Sequence, residues 1–146
     1  MHIVSLVLWI ATALGGSVLL GRWLQKGGMR QQSINVTRFP STLILGHFLL
    51  AATGLVLWII YVINDNHTIA WIAFGLIVVV ALLGFTMFAR WLQGRRQLAT
   101  AGAGSAEQPA ERPAEQSFPL AVVYGHGLLG AATLVLVLLT AAEVLS

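Results

Sequence analysis

The sequence predicts an all-α fold: an integral membrane four-helix bundle made of two tandem helical hairpins, a parallel internal repeat with both termini outside. Three observations predict it. The chain of 146 residues is 58% hydrophobic and 9% charged, with a mean hydropathy of +0.85, which is too apolar for a soluble domain of that size. Four stretches, 3–21, 41–63, 69–89 and 120–142, carry no formally charged residue. The chain also repeats itself. Gly-His-Phe-Leu-Leu-Ala-Ala-Thr-Gly-Leu-Val-Leu at 46–57 and Gly-His-Gly-Leu-Leu-Gly-Ala-Ala-Thr-Leu-Val-Leu at 125–136 agree at eight of twelve positions without a gap.

Each element follows from the same reading. A helix rises about 1.5 Å per residue, so roughly 20 apolar residues cross a hydrocarbon core about 30 Å thick. Helices are therefore expected at about 3–23, 41–63, 69–92 and 120–142. The first could be mistaken for a cleaved leader ending near Ala11-Thr12-Ala13. No basic residue precedes its apolar run, however, and its end, Gly21-Arg22-Trp23-Leu24-Gln25, is echoed by Ala89-Arg90-Trp91-Leu92-Gln93. It is expected to be retained. The second and fourth spans each follow a Phe-Pro pair, Phe39-Pro40 and Phe118-Pro119, and proline suits the first turn of a helix because its missing donor is not needed there. The turn 64–68 is short enough to make the second and third spans antiparallel neighbours. Between the third and fourth spans, 94–117 is rich in Ala, Gly, Glu, Gln and Pro. This composition buries no core of its own and predicts a flexible or loosely helical cytoplasmic loop acting as a tether, with a docking segment as the alternative.

Charge fixes the orientation. Arg22, Lys26, Arg30 and Arg38 leave the first span or lie before the second, and Arg90, Arg95, Arg96 and Arg112 stand in the same relation to the third and fourth. All eight basic residues fall on one side, which the positive-inside rule makes cytoplasmic. Trp23 and Trp91 are expected at the inner membrane interface, and Trp58, Tyr61 and Trp71 at the outer one. The net charge of +3 is accounted for by topology, and no basic helix or aromatic-interleaved patch points to nucleic acid. With no cysteine, this chain has no covalent c-type haem, no cysteine-ligated iron–sulfur cluster and no disulfide.

The repeat places one histidine in each of two spans, His47 and His126, each seven residues past its proline and so about 10 Å into the membrane from the cytoplasmic face. Ionisable residues at such depth are functional candidates. In an up-down-up-down bundle the second and fourth spans are diagonal, so two imidazoles at equal depth can hold one flat cofactor between them, as in bis-histidine ligation of haem b. Gly46, Ala51, Ala52, Gly54, Gly125, Gly127, Gly130, Ala131 and Ala132 are expected to leave room for it. Arg22, Arg38 and Arg90 are expected partners for haem propionates, since guanidinium matches a carboxylate in bidentate fashion. Other readings of the pair stay open. Histidines and small residues also serve close helix packing, with interhelical hydrogen bonds worth about 1 kcal/mol. A metal ion would need ligands beyond two imidazoles, and a proton path would call for buried carboxylates. Thr53 and Thr133, not at matching repeat positions, are expected to bond only within their own helices. His2 and His67 are expected as solvated outer residues, with a second haem site as the alternative.

With His47 and His126 in facing spans, the chain resembles the small four-helix membrane b-type cytochromes, the bacterial cytochrome b561-like group. The first helix, with His2, Trp9 and Gly15-Gly16, loosely resembles the opening helix of CopD-like membrane proteins. The first resemblance implies a non-covalent haem b and electron transfer, although only one well-placed pair is present where that group carries two haems. The expected protein is a haem-bearing cytochrome subunit of a bacterial plasma membrane, exchanging single electrons with a quinone or a redox partner protein. The alternative is a non-catalytic accessory subunit of a larger membrane complex. No nucleophile with a base, phosphate-binding loop or acid pair is found, so a stand-alone enzyme is not expected.

Overall fold

The computed structural model describes residues 1–101 and 111–143, and all regular structure among them is helical. The elements are α1 (His2–Gln25), α2 (Gly28–Ser33), α3 (Ser41–Asn64), α4 (His67–Ala101), a 3₁₀ turn (Ala114–Ser117) and α5 (Leu120–Ala141). Helices α1, α3, α4 and α5 are long and apolar enough to cross a membrane, which makes this a multi-pass membrane protein by length and composition. Their most extensive contacts are α3 with α4 and α1 with α5. Contacts of α4 with α5 and of α1 with α3 close the square, leaving α3 diagonal to α5.

The helix ends follow local chemistry. Pro40 and Pro119 are N-caps rather than first-turn residues, and each carbonyl accepts the first bonds of its helix, from Leu43 and Ile44 and from Val122 and Val123. Their preceding phenylalanines, Phe39 and Phe118, meet with ring centroids 6.1 Å apart. Between α3 and α4, Asp65 takes a left-handed conformation (φ 53°), and the Asn66 side chain accepts from the Thr68 N–H. At the α1–α2 turn, Gly27 has φ 77°, and a Cβ on Gly28 would lie 2.1 Å from the Trp23 ring. A side chain there has no room, because the indole occupies the place a Cβ would take.

Two buried clusters fill the bundle. At the end carrying the basic residues, hereafter the basic end, Trp23, Phe39, Ile44, Trp91, Ala114 and Phe118 pack together. Toward the opposite end, Trp9, Trp58, Tyr61, Ile77 and Val137 pack with Ala70, Ala73 and Ala141. Four of the aromatic side chains expected at a membrane interface are therefore interior: Trp23, Trp58, Trp91 and Tyr61 are at most 4% exposed, and only Trp71 is open. Around Trp58 and Tyr61 the physical reason is volume, since Ala70, Ala73 and Ala141 leave space that large rings fill, whereas Trp23 and Trp91 are covered by Phe39, Ile44, Ala114 and Phe118.

The stretch expected to be a flexible loop at 94–117 divides. Residues 94–101 continue α4, where Gln, Leu, Ala and Arg favour helix and Arg95 lies over the Trp91 ring at 5.3 Å. Residues 102–110 lie outside the described part. Residues 111–117 are docked on the basic end. The Glu115 side chain is fully buried and accepts from the Thr37 hydroxyl (2.6 Å) and the Arg38 backbone N–H (2.8 Å). Buried Gln31 donates to Glu111 and to the Arg112 carbonyl, and accepts from the Ala114 N–H at 2.7 Å.

Candidate functional site

Between the two clusters lies a layer of small residues and two imidazoles. His47 on α3 and His126 on α5 face each other, with ring centroids 6.1 Å apart and planes inclined by 69°. Each ring is held by the backbone of a neighbouring helix. His47 Nδ1 lies 3.0 Å from the Val80 carbonyl oxygen of α4, and His126 Nδ1 lies 2.9 Å from the Thr12 carbonyl oxygen of α1. A carbonyl only accepts, so Nδ1 carries the proton in both rings. In the neutral ring this leaves the Nε2 lone pair free, and neither Nε2 has a hydrogen-bond partner among the described residues.

Close helix approach depends on two glycines. A Cβ on Gly16 would lie 3.0 Å from His126 Cε1, and one on Gly84 would lie 3.1 Å from His47 Cε1. The glycines that neighbour the histidines in sequence behave differently. Around Gly46, Gly125 and Gly127 an added Cβ meets nothing within 4 Å, Gly54 instead accommodates Trp9, and Gly130 accommodates Thr12. Room at the imidazoles thus comes from the opposing helices. Thr133 also does more than bond its own helix, since its hydroxyl lies 3.2 Å from that of Thr12, linking α1 to α5. Thr53 bonds only the Leu49 carbonyl, as expected.

Sequence reasoning missed Gly16, Gly84 and the two accepting carbonyls, although a signal existed. Ala13-Leu14-Gly15-Gly16 and Ala81-Leu82-Leu83-Gly84 each end six residues before an arginine of the Arg-Trp-Leu-Gln echo, and Thr12 and Val80 each stand ten residues before it.

The arginines are arranged less symmetrically. Arg38 and Arg90 come together at the basic end, where Arg90 Nη1 donates to the Arg38 carbonyl at 3.0 Å and the Arg38 guanidinium donates to the Gln97 side chain. Arg22 is exposed and does not line the recess that Arg38 and Arg90 share. At the other end, His2 and His67 line one recess of about 310 Å³ with Tyr61, Asp65, Thr140 and Glu143. The Tyr61 ring lies between theirs, at 6.4 and 5.9 Å, and His67 Nδ1 is 3.3 Å from the Glu143 carboxylate. Among the described residues, no three His, Cys, Asp or Glu side chains gather as a metal site. No known family matches the chain, nor does any curated protein or solved structure.

Proposed function

We propose that this protein is a b-type haem protein of the membrane, with His47 and His126 as the two axial ligands and one-electron transfer as its activity. The observation that carries this reading is the imidazole pair: facing rings, each fixed through Nδ1–H on a carbonyl, each with Nε2 free. Metal-ligating histidines are commonly held this way, the second nitrogen's bond setting both tautomer and ring orientation. The spacing also fits. Two imidazoles on opposite sides of one metal ion, each bonded at about 2.0 Å with its ring centre ~1.1 Å further on, stand with centroids about 6 Å apart. The bare backbone of Gly16 and Gly84 lets each ring seat against the opposing helix. Held by His47 and His126, haem b would supply a one-electron couple. The residues of this chain hold the rings, exclude water with an aromatic cluster on each side, and set the local polarity.

The same reading includes a duplicated hairpin, α1 with α3 and α4 with α5, related by a pseudo-two-fold axis along the membrane normal. Its support is that the two histidine contacts fall at matching places in the repeat, as do the two glycines. Basic residues put the α1–α3 and α4–α5 connections in the cytoplasm and both termini outside, in a bacterial plasma membrane with a quinone or a redox protein as electron partner.

A second reading draws on the bonds themselves. His47 and His126 tie α3 to α4 and α5 to α1, and such bonds alone suit an accessory subunit of a larger membrane complex. The dithionite-reduced minus oxidised visible spectrum separates the two. Protein expressed with ample haem and purified in mild detergent is expected to show sharp b-type bands that both His47→Ala and His126→Ala remove. A colourless wild type leaves the accessory subunit as the better account.

A further inference from the structure

We infer that the recess formed by Arg38 and Arg90 binds the phosphate of an anionic phospholipid, whose acyl chain lies along α4. The inference goes beyond the haem reading and does not rest on it.

The recess, about 510 Å³, is lined by Arg38, Phe85, Thr86, Ala89, Arg90 and Gln93. Its direction follows from helix geometry. At about 100° per residue, the side chains at 70, 73, 77, 80, 84 and 91 form one stripe of α4. Those of Ala70, Ala73, Ile77, Val80 and Trp91 are buried, and Gly84 faces His47. Phe85, Thr86, Ala89 and Gln93 fall on the other side of the helix, and Arg90 lies some 120° from Gly84. Phe85 is 73% exposed and Leu82, on the same stripe, 65%. In a membrane-crossing helix these side chains meet lipid, so the recess opens outward, away from the imidazole layer.

Its charge lacks a counterpart within the described residues. No carboxylate lines the recess, and neither guanidinium forms an ion pair there. Glu115 touches Arg38 only at the backbone N–H and gives its other oxygen to Thr37. Arg90 is held by one bond to the Arg38 carbonyl and the Arg38 guanidinium by one to the Gln97 side chain, so two guanidinia line one recess with donors to spare. Two cations lining one recess are stabilised by an anion within it, and a phosphate oxygen pair matches a guanidinium fork. The order along α4 then selects the source. Arginine and glutamine lie at the basic end, and exposed Phe85 and Leu82 lie one to two turns toward the helix centre. That is the polarity of a lipid with its headgroup at the interface and its chain in the hydrocarbon, and basic pockets between helices recognise anionic headgroups in this manner.

The test uses the full chain in neutral detergent and counts retained lipid by native mass spectrometry. Wild type is expected to retain one phosphatidylglycerol in preference to phosphatidylcholine. With each arginine supplying roughly a fivefold factor, R38Q/R90Q is expected to bind phosphatidylglycerol about thirtyfold more weakly. R38K/R90K, which keeps both charges but loses the forks, is expected to bind more weakly than wild type and more tightly than R38Q/R90Q, and Lys26→Gln, exposed and outside the recess, should leave retention unchanged. Circular dichroism on each variant separates lost binding from lost folding. Equal retention by wild type and a folded R38Q/R90Q overturns the inference. So does occupation by millimolar inorganic phosphate with no phosphatidylglycerol retained, which assigns the site to a soluble phosphate, and so does a lipid-free dimer that R38Q/R90Q dissociates, which assigns the stripe to a second copy.

Discussion

Replacing Gly84 by alanine is the sharpest probe of the imidazole layer, because the structure fixes both its size and its control. The new methyl would lie 3.1 Å from His47 Cε1, several tenths of an ångström inside normal carbon–carbon contact of about 3.5–4.0 Å. His47 cannot yield along the ring without lengthening its 3.0 Å bond to the Val80 carbonyl. Losing that bond costs about 1 kcal/mol, and the residual overpacking adds about 1–3 kcal/mol. Set against these is a gain of up to about 1 kcal/mol from alanine's higher helix propensity. The net expectation is a destabilisation of about 1–3 kcal/mol and, on the proposed reading of the pair, a lower haem content. Gly46 is the control. It adjoins His47 in sequence, yet an added Cβ there meets nothing within 4 Å, so Gly46→Ala is expected to be neutral or slightly stabilising. Denaturant unfolding in mixed micelles gives the stability, and haem per polypeptide gives the site. Equal effects of the two substitutions, or a larger effect of Gly46→Ala, would refute the assignment of the glycines to opposite sides of the histidine.

The basic end and the orientation yield further expectations. Glu115→Ala leaves the Thr37 hydroxyl and the Arg38 N–H without their buried acceptor and is expected to cost about 2–4 kcal/mol, read as a lower midpoint of unfolding and faster proteolysis between α4 and α5; unchanged proteolysis would mean the segment 111–117 does not stay docked. Gly28→Ala puts a methyl 2.1 Å from the Trp23 ring and should cost upwards of about 2 kcal/mol, with a change in tryptophan fluorescence as α2 swings off the bundle. A variant that melts like wild type would count against that turn. Because the chain has no cysteine, Ser33→Cys and Asn66→Cys report topology directly: an impermeant maleimide on intact cells should label position 66 and spare position 33, and the reverse pattern would invert the proposed orientation.

Much of the architecture was legible because hydropathy and charge act along the chain, whereas the site depends on what meets across it. Charge-free length located α1, α3 and α5 to within two residues and the start of α4 likewise, but it ended α4 at 92 where the helix runs on to Ala101, and the short turn at 64–68 made α3 and α4 neighbours. Equal spacing from Pro40 and Pro119 put His47 and His126 at one level, and the bundle brought them face to face. What composition could not reveal was helix rotation. With apolar residues on every side of a spanning helix, no polar stripe marks the interior. Gly46 and Gly125, adjacent to the histidines, therefore looked like the lining, while the glycines that meet the rings lie far away in sequence. Tryptophans near helix ends were read as membrane anchors for the same reason. Their burial is decided by residues on other elements, Ala70, Ala73 and Ala141 for Trp58 and Phe39, Ala114 and Phe118 for Trp23 and Trp91, which single-helix patterns do not register. The docked segment 111–117 stood only as the alternative to a tether because of its Pro, Glu and Gln content, since its hold on the bundle is polar and rests on Glu115 meeting Thr37 and Gln31 meeting the Ala114 backbone.

The pattern of bonds at the imidazoles constrains how this bundle assembles. Each histidine reaches out of its own repeat: His47 of the first hairpin bonds α4 of the second, and His126 of the second bonds α1 of the first. The glycines cross in the same sense, Gly84 admitting His47 and Gly16 admitting His126. The most extensive helix contacts, α3 with α4 and α1 with α5, run between the hairpins as well. A single hairpin therefore holds a histidine without its carbonyl and a glycine without its ring, and it lacks the second imidazole altogether. Two hairpins complete both halves at once, which makes the layer a property of their association. Residues 1–66 and 67–146 expressed as separate chains should thus each fail to form the layer alone and restore it on co-expression. Recovery of the unfolding midpoint of the intact chain, or of any haem it carries, is the measurement, and a layer already formed by one half would defeat the argument. The docked segment fits the same logic. By joining Gln31 and Thr37 of the first hairpin to 111–115 of the second, it closes the basic end only when both hairpins are in place.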